Sequence, residues 1–195
     1  GGLDMSARRI TLSTVGLPKK IQQLITEGLP LTLAVSLHAP DEETRKQIIP
    51  TAHAHSIDDI MASLHEWQRQ IRRRVTIEYT MLEGVNDHEW QAVQLAQRLE
   101  GLRSHVNLIP FNPFPQSGLR RSPDAAIAAF ARTLVDAGIV TTVRKTRGDD
   151  IDAACGQLAG EVQDRTHAQQ RMAARRSAMQ HERAGRTRPV IKMEP

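Results

Sequence analysis

Short β-branched runs alternate with amphipathic helical runs along this chain, and that alternation constrains its fold more than any other feature. Strand-like runs fall at residues 9–14 (RITLST), 31–38 (LTLAVSLH), 75–82 (VTIEYTML), 105–110 (HVNLIP) and 139–145. Between them the apolar spacing becomes helical. After Pro18, Ile21, Leu24 and Ile25 share one face, and a short polar helix is expected at 41–49. Residues 57–74 carry the stripe Ile57, Ile60, Met61, Leu64, Trp67 and Ile71, with Ser56 as cap, Asp59 at the capping-box position and Arg72–Arg74 at the negative end. Asn86 is expected to cap a helix through Leu99, with Trp90, Val93, Ala96 and Leu99 inward. Ser122 is expected to cap another that starts at Pro123, buries Ile127, Phe130 and Leu134, and stops at Gly138.

This order makes the chain an α/β protein with parallel strands and right-handed crossovers. Five strands are too few to close an eight-stranded barrel. Two architectures remain: an open doubly wound sheet, or a barrel segment whose first strands lie upstream. In both, ligands belong at the C-terminal ends of the strands.

Composition narrows the setting. With 195 residues, 39% hydrophobic and 25% charged, the chain can bury one sizeable core. No run approaches the roughly 18 apolar residues of a membrane span, and the start, GGLDMSARRITLST, lacks a signal-peptide pattern. A single cysteine rules out an internal disulfide framework and points to a reducing, cytoplasmic setting. It also leaves no cysteine cluster for a metal within the chain. The net charge of +4 resides in the tail: residues 161–195 hold eight basic and four acidic side chains. Such a tail favours polyanions or is a solvated end.

The strand ends gather a polar set: Ser13 and Thr14; Ser36 and His38; Glu83 and Asn86; Asn112; Arg144, Lys145 and Arg147. Converging on one barrel mouth, they suit a polar, phosphate-bearing or nucleotide-like ligand. Each has a plainer role open to it. Ser13 and Thr14 can end a strand and cap a turn, His38 can be structural, and Asn112 in N-P-F-P can form a turn. Asp149, Asp150 and Asp152 lack EF-hand spacing, and Asp152 reads as a helix cap. A cap there puts Cys155 in the first helical turn, where the dipole favours a thiolate. The plainer alternative is a small buried residue in a tight helix packing.

The motifs SARRITLSTVGL, VSLHAP, VTIEYTMLEGVND, NLIPFNPFP and RKTRGDDIDAACGQLAG together resemble the radical S-adenosylmethionine (SAM) methyltransferases that modify carbon-2 of adenine in RNA. The resemblance runs from the first residues to about Arg165. It implies that residues 1–166 are the C-terminal part of a partial, TIM-like radical SAM barrel, and that 167–195 form a basic helical or disordered tail. It implies methylation of 23S ribosomal RNA and of transfer RNA by a monomeric cytoplasmic enzyme. Ser13, Ser36, Leu37, His38 and Asn112 fall at SAM-contacting positions of that family, and Cys155 at the cysteine that is itself methylated.

The chemistry such enzymes use explains the cysteine. Carbon-2 of adenine is a poor nucleophile, so direct transfer from a sulfonium fails. The implied route methylates the thiolate from one SAM. A second SAM, cleaved at a 4Fe–4S cluster, then makes a radical that draws a hydrogen from the S-methyl group, and the resulting methylene radical adds to the base. The three cluster cysteines of a C-x-x-x-C-x-x-C loop, the resolving cysteine and the general base are not in this sequence, nor is the G-E-P segment that helps hold SAM. The expectation is therefore a C-terminal portion that works with an upstream segment. The alternatives are the sister activity on carbon-8 of adenine, against which R-G-D-D-I-D argues, and a non-catalytic RNA-binding remnant.

Overall fold

A computed structural model describes residues 7–144 except residue 116. Within them, β1 (Thr11–Thr14), β2 (Thr32–Ser36), β3 (Val75–Met81), β4 (Ser104–Pro110) and β5 (Val140–Val143) form one sheet in the order β1-β2-β3-β4-β5. Every pairing is parallel. The connections carry α1 (Pro18–Glu27), α2 (Glu42–Ile48), α3 (Ile57–Ile71), α4 (Glu89–Arg98) and α5 (Asp124–Asp136).

Packing decides between the two architectures. Ile21 of α1, Leu64 and Trp67 of α3, Leu95 of α4 and Phe130 of α5 join one core with Leu33, Ile77 and Val106 of the sheet. Among the described residues the helices lie on a single face. A doubly wound sheet would carry helices on both faces, so this is a barrel-wall segment. Burying side chains such as Trp67 and Phe130, almost wholly removed from water, contributes roughly 2–3 kcal/mol each to the core.

Local chemistry sets the helix ends. Asp41 accepts a hydrogen bond from the Thr44 amide at 2.8 Å and opens α2. Ser56 accepts from the Asp59 amide at 3.0 Å and opens α3, as its sequence implies. α3 stops at Ile71 because Arg72 turns left-handed at φ 57°, its amide still bonded to the Gln68 carbonyl. Arg72–Arg74 therefore link helix to strand rather than extend the helix.

Two expectations fail. Asn86 does not cap α4, which begins three residues later. Trp90 and Val93 face out, 55% and 44% exposed, while Gln91, Ala92 and Leu95 face in. The reason is Gln91: its side chain bonds the His88 amide and the Val85 carbonyl, both at 3.1 Å, and this sets the phase of the first turn. Ser122 does not cap α5 either; it is buried and its hydroxyl makes no hydrogen bond. The expected stripe Ile127, Phe130 and Leu134 is buried.

A second, smaller cluster sits over the C-terminal strand ends. Ala39, Ile48, Ile49, Ala52, Leu82 and Phe111 form it, with Val85, Phe114 and Leu119 against it. It anchors the loops that follow β2, β3 and β4.

Candidate functional site: an open polar sheet face and a braced strand edge

Parallel sheets are ordinarily covered on both faces and read as continuous apolar runs. Here β3 and β4 alternate strictly over most of their length. Val75, Ile77, Tyr79, Val106 and Leu108 face the helices, and Thr76, Glu78, His105 and Asn107 lie half-buried on the other side. Register places Ser36, Glu78, Asn107 and Thr142 side by side on that inner face. The Ser36 hydroxyl donates to Glu78 Oε2 at 3.2 Å. Thr142 Oγ1 lies 2.8 Å from His105 Nε2 and donates to Asn107 Oδ1 at 3.4 Å. Partial burial, and then the positive charge of Arg74, hold His105 below the usual histidine range.

At the strand edge the backbone does something unusual. His38, just past β2, is left-handed at φ 59°. The amides of both Leu37 and His38 point to the Glu78 carbonyl, at 3.1 and 3.3 Å. The turn is held by Asn86, whose side-chain amide donates to the carbonyls of His38 at 2.7 Å and Thr80 at 2.6 Å. Asn86 Oδ1 accepts from the Leu82 amide at 2.7 Å, and the Tyr79 hydroxyl donates to the Asn86 carbonyl at 2.7 Å. Both donors and the oxygen of this buried amide have a partner, as burial demands.

The His38 ring is fixed by the same edge. Its Nδ1 accepts from the Thr80 amide at 3.0 Å, so the neutral ring carries its proton on Nε2. Burial first, and the charge of Arg45 second, lower its pKa to about 4. Arg45 is itself buried and donates to the Val15 carbonyl at 2.6 Å. Burial lowers its pKa, and Glu42 opposes that shift. Glu42 accepts from the Ile57 amide at 2.5 Å, which links α2 to the start of α3.

No family model matches the chain. It is 54% identical over 160 residues to a probable dual-specificity RNA methyltransferase RlmN of Thermus thermophilus, over 82% of this chain and 45% of that protein. The counterpart in Deinococcus deserti is 56% identical over 158 residues, covering 80% of this chain and 46% of its own length. A radical SAM methyltransferase from Sphaerobacter thermophilus superposes with a TM-score of 0.76 at 44% identity, over 80% of this chain and 46% of that one. This segment belongs to the RlmN family.

The chain spans about half the length of the curated RlmN relatives it matches. A domain of a pyruvate-formate lyase-activating enzyme from Bacteroides vulgatus shares the fold, with a TM-score of 0.53 at 16% identity.

The structure locates most of the sequence-derived site residues at one edge of that wall. Ser13 is exposed on β1, in register with Ala34 on the inner face. Ser36 ends β2, and His38 occupies the turn after it. Asn112 is exposed two residues beyond β4, next to the buried ring of Phe111. Leu37 has its side chain wholly inside the helix-side core, and its amide is bonded to the Glu78 carbonyl. Thr14 accepts from the Gly16 amide at 3.2 Å and Glu83 pairs with Arg120 at 2.9 Å, so both have local roles. Arg144 is exposed just after β5. Lys145, Arg147, Asp149, Asp150, Asp152 and Cys155 lie outside the described residues.

Glu78, Asn107 and Thr142 lie within their strands, so a reading of strand ends alone does not find them. The signal is in the sequence: Thr76, Glu78 and Thr80 in VTIEYT, and His105 and Asn107 in HVNLI, alternate with apolar residues and mark a polar sheet face.

Proposed function

We propose that this segment supplies the methyl-donor face and the methyl-accepting cysteine of an RNA methyltransferase acting on carbon-2 of adenine in 23S rRNA and tRNA. The observation that carries the reading is the open, polar inner face of a parallel sheet, with Ser36 and Glu78 hydrogen-bonded at its ligand edge. Hydroxyls, an amide, a carboxylate and an imidazole N–H suit the amino-acid and ribose groups of SAM. On this reading Ser13, Ser36 and Asn112 bind SAM by hydrogen bonds, Leu37 lends its backbone carbonyl, and neutral His38 offers its Nε2 proton.

Bound SAM supplies an electrophilic methyl group. Cys155, as a thiolate, would accept it at Sγ and become a thioether, while the bond from the methyl carbon to the sulfonium breaks and S-adenosylhomocysteine leaves. One cysteine cannot provide the three thiolates of a radical SAM cluster, so this chain's residues do not fit that group. The cluster ligands belong to an upstream segment, and residues 1–166 complete the barrel wall while 167–195 form a basic tail. Among the described residues no helix is long and apolar enough to cross a membrane, and the proposed enzyme is a cytoplasmic monomer.

The test is nucleoside mass spectrometry of RNA from cells that carry the full-length protein or its Cys155→Ala variant. The expected result is 2-methyladenosine in the first and its absence in the second. Normal 2-methyladenosine with the variant would overturn the methyl-carrier role. Methylation at carbon-8 instead would identify the sister activity. This chain alone, reconstituted with iron and sulfide, is expected to make no deoxyadenosine from SAM.

A further inference from the structure

The opposite edge of the sheet has a different chemistry. Arg8 and Arg9 precede β1, Arg72, Arg73 and Arg74 precede β3, and Arg103 precedes β4. Parallel pairing brings these strand starts to one rim. Among the described residues, four ion pairs form, and none involves these six arginines. The carboxylates carried on the last turns of the neighbouring helices, Glu27 and Asp136, also pair with none of them.

The rim is organised as well as charged. Arg73 is tied by hydrogen bonds to the Arg8 carbonyl at 3.2 Å and Thr32 Oγ1 at 3.0 Å. Arg72, at the left-handed end of α3, is exposed, as are Arg74 and Arg103. A cavity of about 370 Å³ opens between Thr32, Arg72, Arg73, Arg74 and Thr76. Its charged lining is wholly guanidinium, and its remaining side chains are hydroxyls. Clustered like charges repel and cost stability, so an uncompensated set of forked donors fits an anion that can take several at once.

We propose that this arginine rim is a second RNA-contact surface, binding phosphodiester groups at the strand N-terminal edge, away from the methyl-donor edge. Seven-residue strands such as β3 separate the edges by roughly 23 Å at ~3.3 Å per residue. A ligand that uses both edges must therefore be a large folded polyanion, which a structured RNA is and a free nucleotide is not. The choice of RNA rests on the proposed function; the anion site itself rests on the rim.

The experiment is fluorescence anisotropy of a labelled RNA hairpin with the full chain at several salt concentrations. Arg72→Gln/Arg74→Gln is compared with Lys20→Gln/Arg132→Gln, which removes the same charge from exposed helix positions elsewhere. The rim variant is expected to bind at least about tenfold more weakly, with a log–log salt slope shallower by about 1–2, since each phosphate contact contributes about 0.7–0.9. The comparison variant should stay within about twofold. Equal losses in the two variants, or no loss at the rim, would overturn the proposal. Arg103→Gln is the second variant should the first fail to fold, judged by circular dichroism. Methyl-donor binding, measured by calorimetry on the same proteins, reports on the other edge. Its absence from the unaltered chain would count against the proposed function and leave the salt-slope comparison to decide the rim.

Discussion

Asn86 Nδ2 donates to the carbonyl of His38 at 2.7 Å, a bond between residues 48 apart in sequence that locks the left-handed turn at the end of β2. The turn that carries the His38 ring is thus shaped by the loop that follows the neighbouring strand. Strained backbone at such an edge persists only when its surroundings over-determine it, and this amide is one of the groups that do so.

Replacing Asn86 should therefore be costly. Asn86→Ala removes two donors and one acceptor and leaves the carbonyls of His38 and Thr80 without this partner. The expected loss is about 3–5 kcal/mol, at ~1–3 kcal/mol for each buried group left unpaired. Urea denaturation measures it, and a midpoint shift worth less than about 1 kcal/mol would show that the brace is dispensable.

Stability should also fall in acid through His38. Its folded pKa, about 4, lies below the ordinary 6.5. Above pH 6.5 the ring is neutral in both states and has no effect. Between 6.5 and 4 the unfolded chain binds a proton that the folded chain refuses, so stability drops as pH falls. The full loss is about 3 kcal/mol, from ~1.36 kcal/mol per pKa unit. His105 pulls in the same direction. Denaturation midpoints between pH 7 and 4 should show a slope that His38→Gln flattens; an unchanged slope would assign the acid sensitivity elsewhere.

Ser36 and Glu78 should behave as a pair toward the methyl donor. Ser36→Ala is expected to weaken SAM binding by about five- to tenfold, the equivalent of one hydrogen bond of ~1–1.5 kcal/mol. Glu78→Ala frees the Ser36 hydroxyl to rotate and should weaken binding in the same direction. Calorimetry on both single variants and the double variant gives the coupling. Additive losses would mean that Glu78 does not position Ser36.

The two tryptophans should differ sharply. Trp67 is wholly buried in the core, and Trp67→Ala should cost about 3–5 kcal/mol. Trp90 is exposed and stacks only against His88 at 6.4 Å, so Trp90→Ala should change stability by less than about 0.5 kcal/mol. Thermal unfolding separates the two. A large effect at Trp90 would restore the inward face first expected for α4.

The sequence by itself determined the elements and their order. Period-2 and helical spacings are local properties, so the five strands, the stripe of α3 and its Ser56 cap could be read directly. Recognisable motifs also brought Ser13, Ser36, His38 and Asn112 into view, because ligand-edge residues follow strand ends. Tertiary structure decided the rest. Whether helices cover one sheet face or two depends on which way each crossover turns, and only packing revealed a one-sided wall with Glu78 and Asn107 left open. The inward face of α4 was chosen by Gln91 bonding to a loop, which no apolar count detects. Asn86 looked like a cap because Asn commonly is one. It became a brace because a buried amide must satisfy its donors, and the carbonyls that do so come from a strand end distant in sequence and from the strand that its loop follows.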